Sequence, residues 1–102
     1  MKYYVLRLIP PRPTFIQDIT EVERALMQRH LAYWSEQMAR GRVLIFGPVA
    51  DPNGPYGICI IKLEDGEDPL VIGNADPVVS ANAGFSFYVA PMIRAIVPTS
   101  DS

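Results

Sequence analysis

The chain has a single histidine, His30, and it falls inside an apolar helical stripe. Leu26, Met27, His30, Leu31, Trp34 and Met38 recur at steps of three and four residues, so they share one face of a helix. An imidazole turned inward with such neighbours must find a hydrogen-bond partner, because a buried unpaired polar group costs about 1–3 kcal/mol. The chemistry on offer is acid–base. Imidazole, with an ordinary pKa of about 6.5, both takes and gives a proton near neutral pH. A carboxylate on its second ring nitrogen would fix the tautomer and favour the cation. Asp76, in Asn74-Ala75-Asp76-Pro77, is the candidate. Each residue also has a plainer reading. His30 can be a core histidine satisfied by a backbone carbonyl, and Asp followed by Pro is a standard helix opening.

Four further residues are candidates for binding a substrate. Trp34, one turn after His30, offers a stacking wall, although core packing is the usual role of tryptophan on such a face. Arg7 interrupts an apolar strand and would pair with a carboxylate or anchor an anionic group. Arg12, in a proline-rich loop, could gate a site, although a solvated loop arginine is commoner. Ser86, near the start of the last strand, could donate a hydrogen bond to a ligand, although filler on a strand face is the usual role. Cys59 is mid-strand with no basic neighbour in sequence and reads as a small buried residue, not a nucleophile.

The composition narrows the classes. The chain has 102 residues, 49% hydrophobic and 20% charged, which reads as one folded domain with a thin core. A net charge of -2 without a basic cluster argues against a nucleic-acid partner. No apolar run is long enough to span a bilayer, and Met1 to Arg7 does not read as a signal peptide. One cysteine forms no internal disulfide, which suits a reducing cytoplasm. One His and one Cys do not make a zinc site of the usual kind, and the residues call for no cofactor.

The elements that must position these residues follow from local signals. Tyr3 to Ile9 reads as a strand stopped by Pro10-Pro11, and Arg12 to Phe15 as an extended loop. Thr20-Glu21-Val22-Glu23 has capping-box spacing, opening a helix that runs to about Arg40 and ends at Gly41. Val43 to Phe46 is a second strand stopped by Gly47-Pro48, and Tyr56 to Leu63 a third. Asp68-Pro69 opens a short helix to about Asn74, and Asp76-Pro77 opens another turn that closes at Gly84. Phe85 to Met92 is a fourth strand, with a continuation through Ile93–Val97 as an option. Residues 1–97 form the domain, and 98–102 a flexible polar tail.

The resulting order, β-α-β-β-α-β, is the ferredoxin-like α+β arrangement, an antiparallel sheet with both helices on one face. Alternation in Tyr3–Ile9 and Ile58–Leu63 makes both sheet faces largely apolar, so a homodimer packed sheet to sheet is expected.

Several segments resemble the YCII-related family. They are Arg29-His30-Leu31-Ala32-Tyr33-Trp34, Gly41-Arg42-Val43-Leu44 leading into Phe46-Gly47-Pro48, Ala75-Asp76-Pro77-Val78 and Ala83-Gly84, with Leu8 to Phe15 resembling one branch. The resemblance spans roughly residues 3–92. It implies a ferredoxin-like, dimeric α/β-barrel fold and an active-site pair of His30 and Asp76. It also implies a lyase- or isomerase-type proton transfer on a cyclic or aromatic substrate, since a few members act on chlorinated hydroxylated aromatics. The alternative is a non-catalytic dimeric ligand-binding or regulatory module using the same pocket. The loop at 10–19 and the short proline-opened second helix depart from the simplest family pattern and would reshape a pocket.

Overall fold

A computed structural model describes residues 1–98. The element order is β1 (Lys2–Ile9), α1 (Phe15–Asp18), α2 (Glu21–Ala39), β2 (Val43–Val49), β3 (Tyr56–Leu63), α3 (Pro69–Asn74), α4 (Pro77–Ser80) and β4 (Ser86–Pro91). The four strands form one antiparallel sheet in the order β2-β3-β1-β4. This is the ferredoxin-like α+β topology expected from the sequence.

The sheet's two faces are set by alternation along β1. Leu6 and Leu8 point to the helices and are buried at 0% and 4% exposure. Tyr3, Val5, Arg7 and Ile9 take the opposite face, where Arg7 lies across from Ile58 and Tyr88. Among the described residues no helix or strand forms a layer over that outer face. Under the helices the core forms two clusters. One joins Leu6, Trp34, Cys59, Ile61 and Leu63; the other joins Leu8, Phe15, Leu26, Val78 and Phe85. Phe87 packs against both.

The capping box at Thr20 and Glu23 is present in full, and Gly41, at φ +80°, follows the C-cap of α2. Four local expectations are corrected. Arg12 to Phe15 does not stay extended, because a turn closes from the Phe15 amide to the Arg12 carbonyl and α1 starts at Phe15: amides of Gln17 and Asp18 bond the Thr14 carbonyl, and the Thr14 hydroxyl donates to Asp18. A helix of 4 residues is too short to leave a periodic signal. Strand β2 runs through Gly47-Pro48 to Val49, since an edge strand tolerates a proline without a donor. Strand β4 stops at Pro91, opposite Tyr4, where the proline has no amide hydrogen to donate; one more bond follows, from the Met92 amide to the Tyr3 carbonyl. The inward stripe of α2 is also shifted. Leu31 and Met38 are exposed, while Glu23 and Gln37 are buried beside Leu26 and Trp34. The polar tail expected at 98–102 lies outside the described residues except for Pro98.

Candidate active site

Asp76 stands at the break between α3 and α4. It adopts an extended conformation as the N-cap of α4, with Pro77 at the first helical position. Its carboxylate is fully buried and accepts three hydrogen bonds. Oδ1 takes the Val78 amide at 3.0 Å. Oδ2 takes Trp34 Nε1–H at 2.6 Å and His30 Nδ1 at 2.5 Å. A buried carboxylate is tolerated only when its lone pairs are met by donors, and here both oxygens are engaged. Among the described residues no buried side-chain nitrogen or oxygen lacks a partner.

The arrangement fixes the imidazole. An ionised carboxylate only accepts, so Nδ1 carries the hydrogen and Nε2 keeps its lone pair; the tautomer is assigned from the partner. His30 is 15% exposed at its side chain and lines a cavity of about 370 Å³. That volume is in the range of small-molecule sites, about 300–1,000 Å³. Leu8, Met27, Phe46 and Phe85 are among its apolar walls, and Phe15 and Ile16 of α1 complete one side. The sheet and α2 make the body of the cavity, and the 10–19 segment makes its outer wall.

That segment is pinned in place. The Arg12 guanidinium bonds both oxygens of Glu23 at 2.7 Å, and also bonds the Asp18 carboxylate at 2.6 Å and the Asp18 carbonyl at 2.9 Å. Glu23 additionally accepts the Thr20 amide at 2.9 Å. These bonds, from Arg12 first and Thr20 second, hold the Glu23 carboxyl down at about 2. The Thr14 hydroxyl and then Arg12 lower that of Asp18. Glu23 in turn, ahead of Asp18, raises the Arg12 guanidinium further above its ordinary value. Gly84, at φ +91°, lies against Pro11 so closely that a Cβ there would come within 2.9 Å of the Pro11 side chain.

The structure sorts the sequence candidates. His30 and Asp76 meet directly. Trp34 is 1% exposed and does not reach the cavity wall; it packs edge-on against Tyr33 and Phe87 and donates to Asp76. It is therefore a positioning residue for the carboxylate and not a stacking wall. Arg12 does not reach His30, because two carboxylates and a carbonyl already occupy its donors. Arg7 sits on the outer sheet face with its guanidinium 4.1 Å from the Tyr56 ring centre, away from the dyad. Ser86 is exposed on that same face, opposite Ile9. Cys59 is buried among core residues, which pushes its thiol up to about 12 and keeps it protonated, with Asp76 adding to the shift. Tyr33 donates to the Ile72 carbonyl at 2.7 Å, and burial raises its hydroxyl above the ordinary value. Among the described residues no three His, Cys, Asp or Glu side chains gather to hold a metal ion. Sequence reasoning missed the Arg12–Glu23 bond and the cavity walls Met27, Phe46 and Phe85. The walls follow from alternation along β2 and the position of Met27 one turn before His30.

A family model for the YCII-related domain matches residues 1–93. The chain belongs to the YCII-related family. The match spans His30, Asp76, the 10–19 segment and all four strands of this YCII-related domain. Comparison with curated proteins finds no match. No helix among the described residues is long and apolar enough to cross a membrane.

Proposed function

We propose that this YCII-related protein is a small-molecule enzyme of the lyase or isomerase type, with His30 as its acid–base group and Asp76 as the residue that orients it. One observation carries the reading: a fully buried carboxylate receives His30 Nδ1–H while the imidazole lines an apolar cavity. Nε2 is then a base with its lone pair held at the wall. It takes a proton from a substrate C–H or O–H, and Asp76 stabilises the imidazolium that forms. Returning that proton to another substrate atom is an isomerisation. Loss of a leaving group with its bonding pair, while His30 keeps the proton, is an elimination. Both routes need only a base, an acid and a dry site. The Asp76 carboxylate itself has both oxygens engaged by donors, so it orients and does not transfer the proton.

The test is hydrogen–deuterium exchange into enolisable ring ketones and lactones in D2O, followed by NMR. The purified protein is expected to accelerate exchange for at least one compound, and His30→Gln to lose about 10²–10⁴-fold of that rate. Exchange unaffected by His30→Gln would refute the assignment. Tight ligand binding in the cavity, insensitive to His30→Gln and without turnover, would instead identify a ligand-binding module.

A further inference from the structure

Among the described residues the cavity wall holds no lysine and no arginine, and its titratable members are His30 and Tyr56. Three arginines lie close to its walls in sequence, Arg7, Arg12 and Arg29, and none is a wall residue; Arg29 is exposed on α2. Arg12 is bonded to Glu23 and Asp18, and Arg7 stacks on Tyr56 from the outer sheet face. Directly behind His30 lies the buried negative charge of Asp76. An anionic group entering this cavity would give up part of its hydration, find no lysine or arginine on the wall, and could pair only with an imidazolium whose charge Asp76 already offsets. Burying an unpaired charge in such a wall costs several-fold more than any hydrogen bond there returns.

The proton inventory points the same way. Removing a proton from a neutral molecule leaves an anion facing an imidazolium, a compensated pair. Removing one from a molecule that already carries a carboxylate leaves two negative charges against one imidazolium and Asp76. The walls also set a shape preference. Phe15, Phe46 and Phe85 line the cavity, and aromatic walls suit a flat apolar body.

We infer that this cavity takes an uncharged, ring-bearing molecule and discriminates against the carboxylate of the same shape. The inference rests on the reading of this cavity as the site, and it does not depend on turnover. The test titrates 4-methylacetophenone and its near-isostere 4-methylbenzoate into the ¹⁵N-labelled full chain at neutral pH, followed by amide shifts. The ketone is expected to shift the Met27, His30 and Phe85 amides saturably, with the benzoate weaker by about tenfold or more at those amides. Benzoate binding there as tightly as the ketone overturns the inference. So does a ketone that moves no cavity amide, or only amides elsewhere. The two claims separate cleanly. Selective ketone binding without deuterium exchange into any carbon acid leaves the ligand class standing and removes the catalytic role. His30-dependent exchange with tight benzoate binding does the reverse.

Discussion

Replacing Asp76 by asparagine tests the account of the dyad at the level of single hydrogen atoms. The aspartate accepts from three donors: the Val78 amide, Trp34 Nε1–H and His30 Nδ1. Asparagine has one carbonyl oxygen and an NH2 group that donates. With its oxygen toward Val78, the NH2 faces His30 and Trp34. His30 can switch tautomer and accept, but the indole N–H cannot. With the oxygen toward His30 and Trp34, the Val78 amide loses its acceptor. Either orientation leaves at least one buried N–H unpaired, which costs about 1–3 kcal/mol. For a domain of this size each kcal/mol lowers Tm by about 4–8 °C. Trp34→Phe removes the donor that forces the conflict, so Asp76→Asn should cost much less in that background. The expected coupling in the double-mutant cycle is about 1–3 kcal/mol. Urea unfolding followed by far-UV circular dichroism measures it, at one fixed protomer concentration. Trp34 is the only tryptophan, so fluorescence would not serve all four proteins. Equal costs of Asp76→Asn in both backgrounds, within about 0.5 kcal/mol, would refute the three-donor account.

Glu23 gives a pH signature. Its carboxyl is lowered from an ordinary 4.5 to about 2 in the folded chain, so its stabilising contribution is complete above 4.5 and lost as pH falls through 2. Stability should fall across that window in the natural chain and fall less in Glu23→Gln; identical slopes would refute the Arg12–Glu23 bond. Gly84→Ala should destabilise by more than about 1 kcal/mol in thermal melts, because an L-residue is strained at φ +91° and its Cβ would strike Pro11. An unchanged Tm would show that the 10–19 segment does not press on Gly84. We propose that the outer sheet face, which carries Val5, Ile58 and Ile60 with Ile45 and Tyr88 exposed, joins two copies into a homodimer. Light scattering should give twice 11.4 kDa and Ile58→Asp a monomer; a stable monomer of the natural chain at micromolar concentration would sink the idea.

Much of this fold is written in short-range signals. Thr20-Glu21-Val22-Glu23 carries its capping box in four adjacent residues, and Asp68-Pro69 and Asp76-Pro77 each specify a helix start locally. The strand alternation of β1 and β3 predicts the two faces, and the order of elements predicts the ferredoxin-like sheet. The meeting of His30 and Asp76 was legible because an inward imidazole demands a partner and the Asp-Pro turn packs on the same side. What local signals could not supply was competition between partners. Arg12 reads as a solvated loop residue until Glu23, eleven positions on, is brought against it. Trp34 reads as a possible stacking surface until its N–H is seen to serve Asp76. Leu31 and Met38 fit the helical period, yet the sheet beneath α2 buries Glu23 and Gln37 instead.

The dyad and the cavity walls come from different stretches of chain. His30, Trp34 and Asp76 lie on α2 and at the start of α4, whereas much of the wall comes from residues 8–16, 46–48 and 55–57. Asp76 is simultaneously a helix cap, a core hydrogen-bond hub and the support of the imidazole, so a change there disturbs the fold and the candidate site together. Ile16, at 59% exposure, does none of these things. Substitution is thus cheap at an exposed wall position such as Ile16 and expensive at the buried Asp76. A library confined to the exposed wall positions Ile16 and Pro48 should therefore yield folded proteins with a reshaped cavity and the His30–Asp76 pair intact.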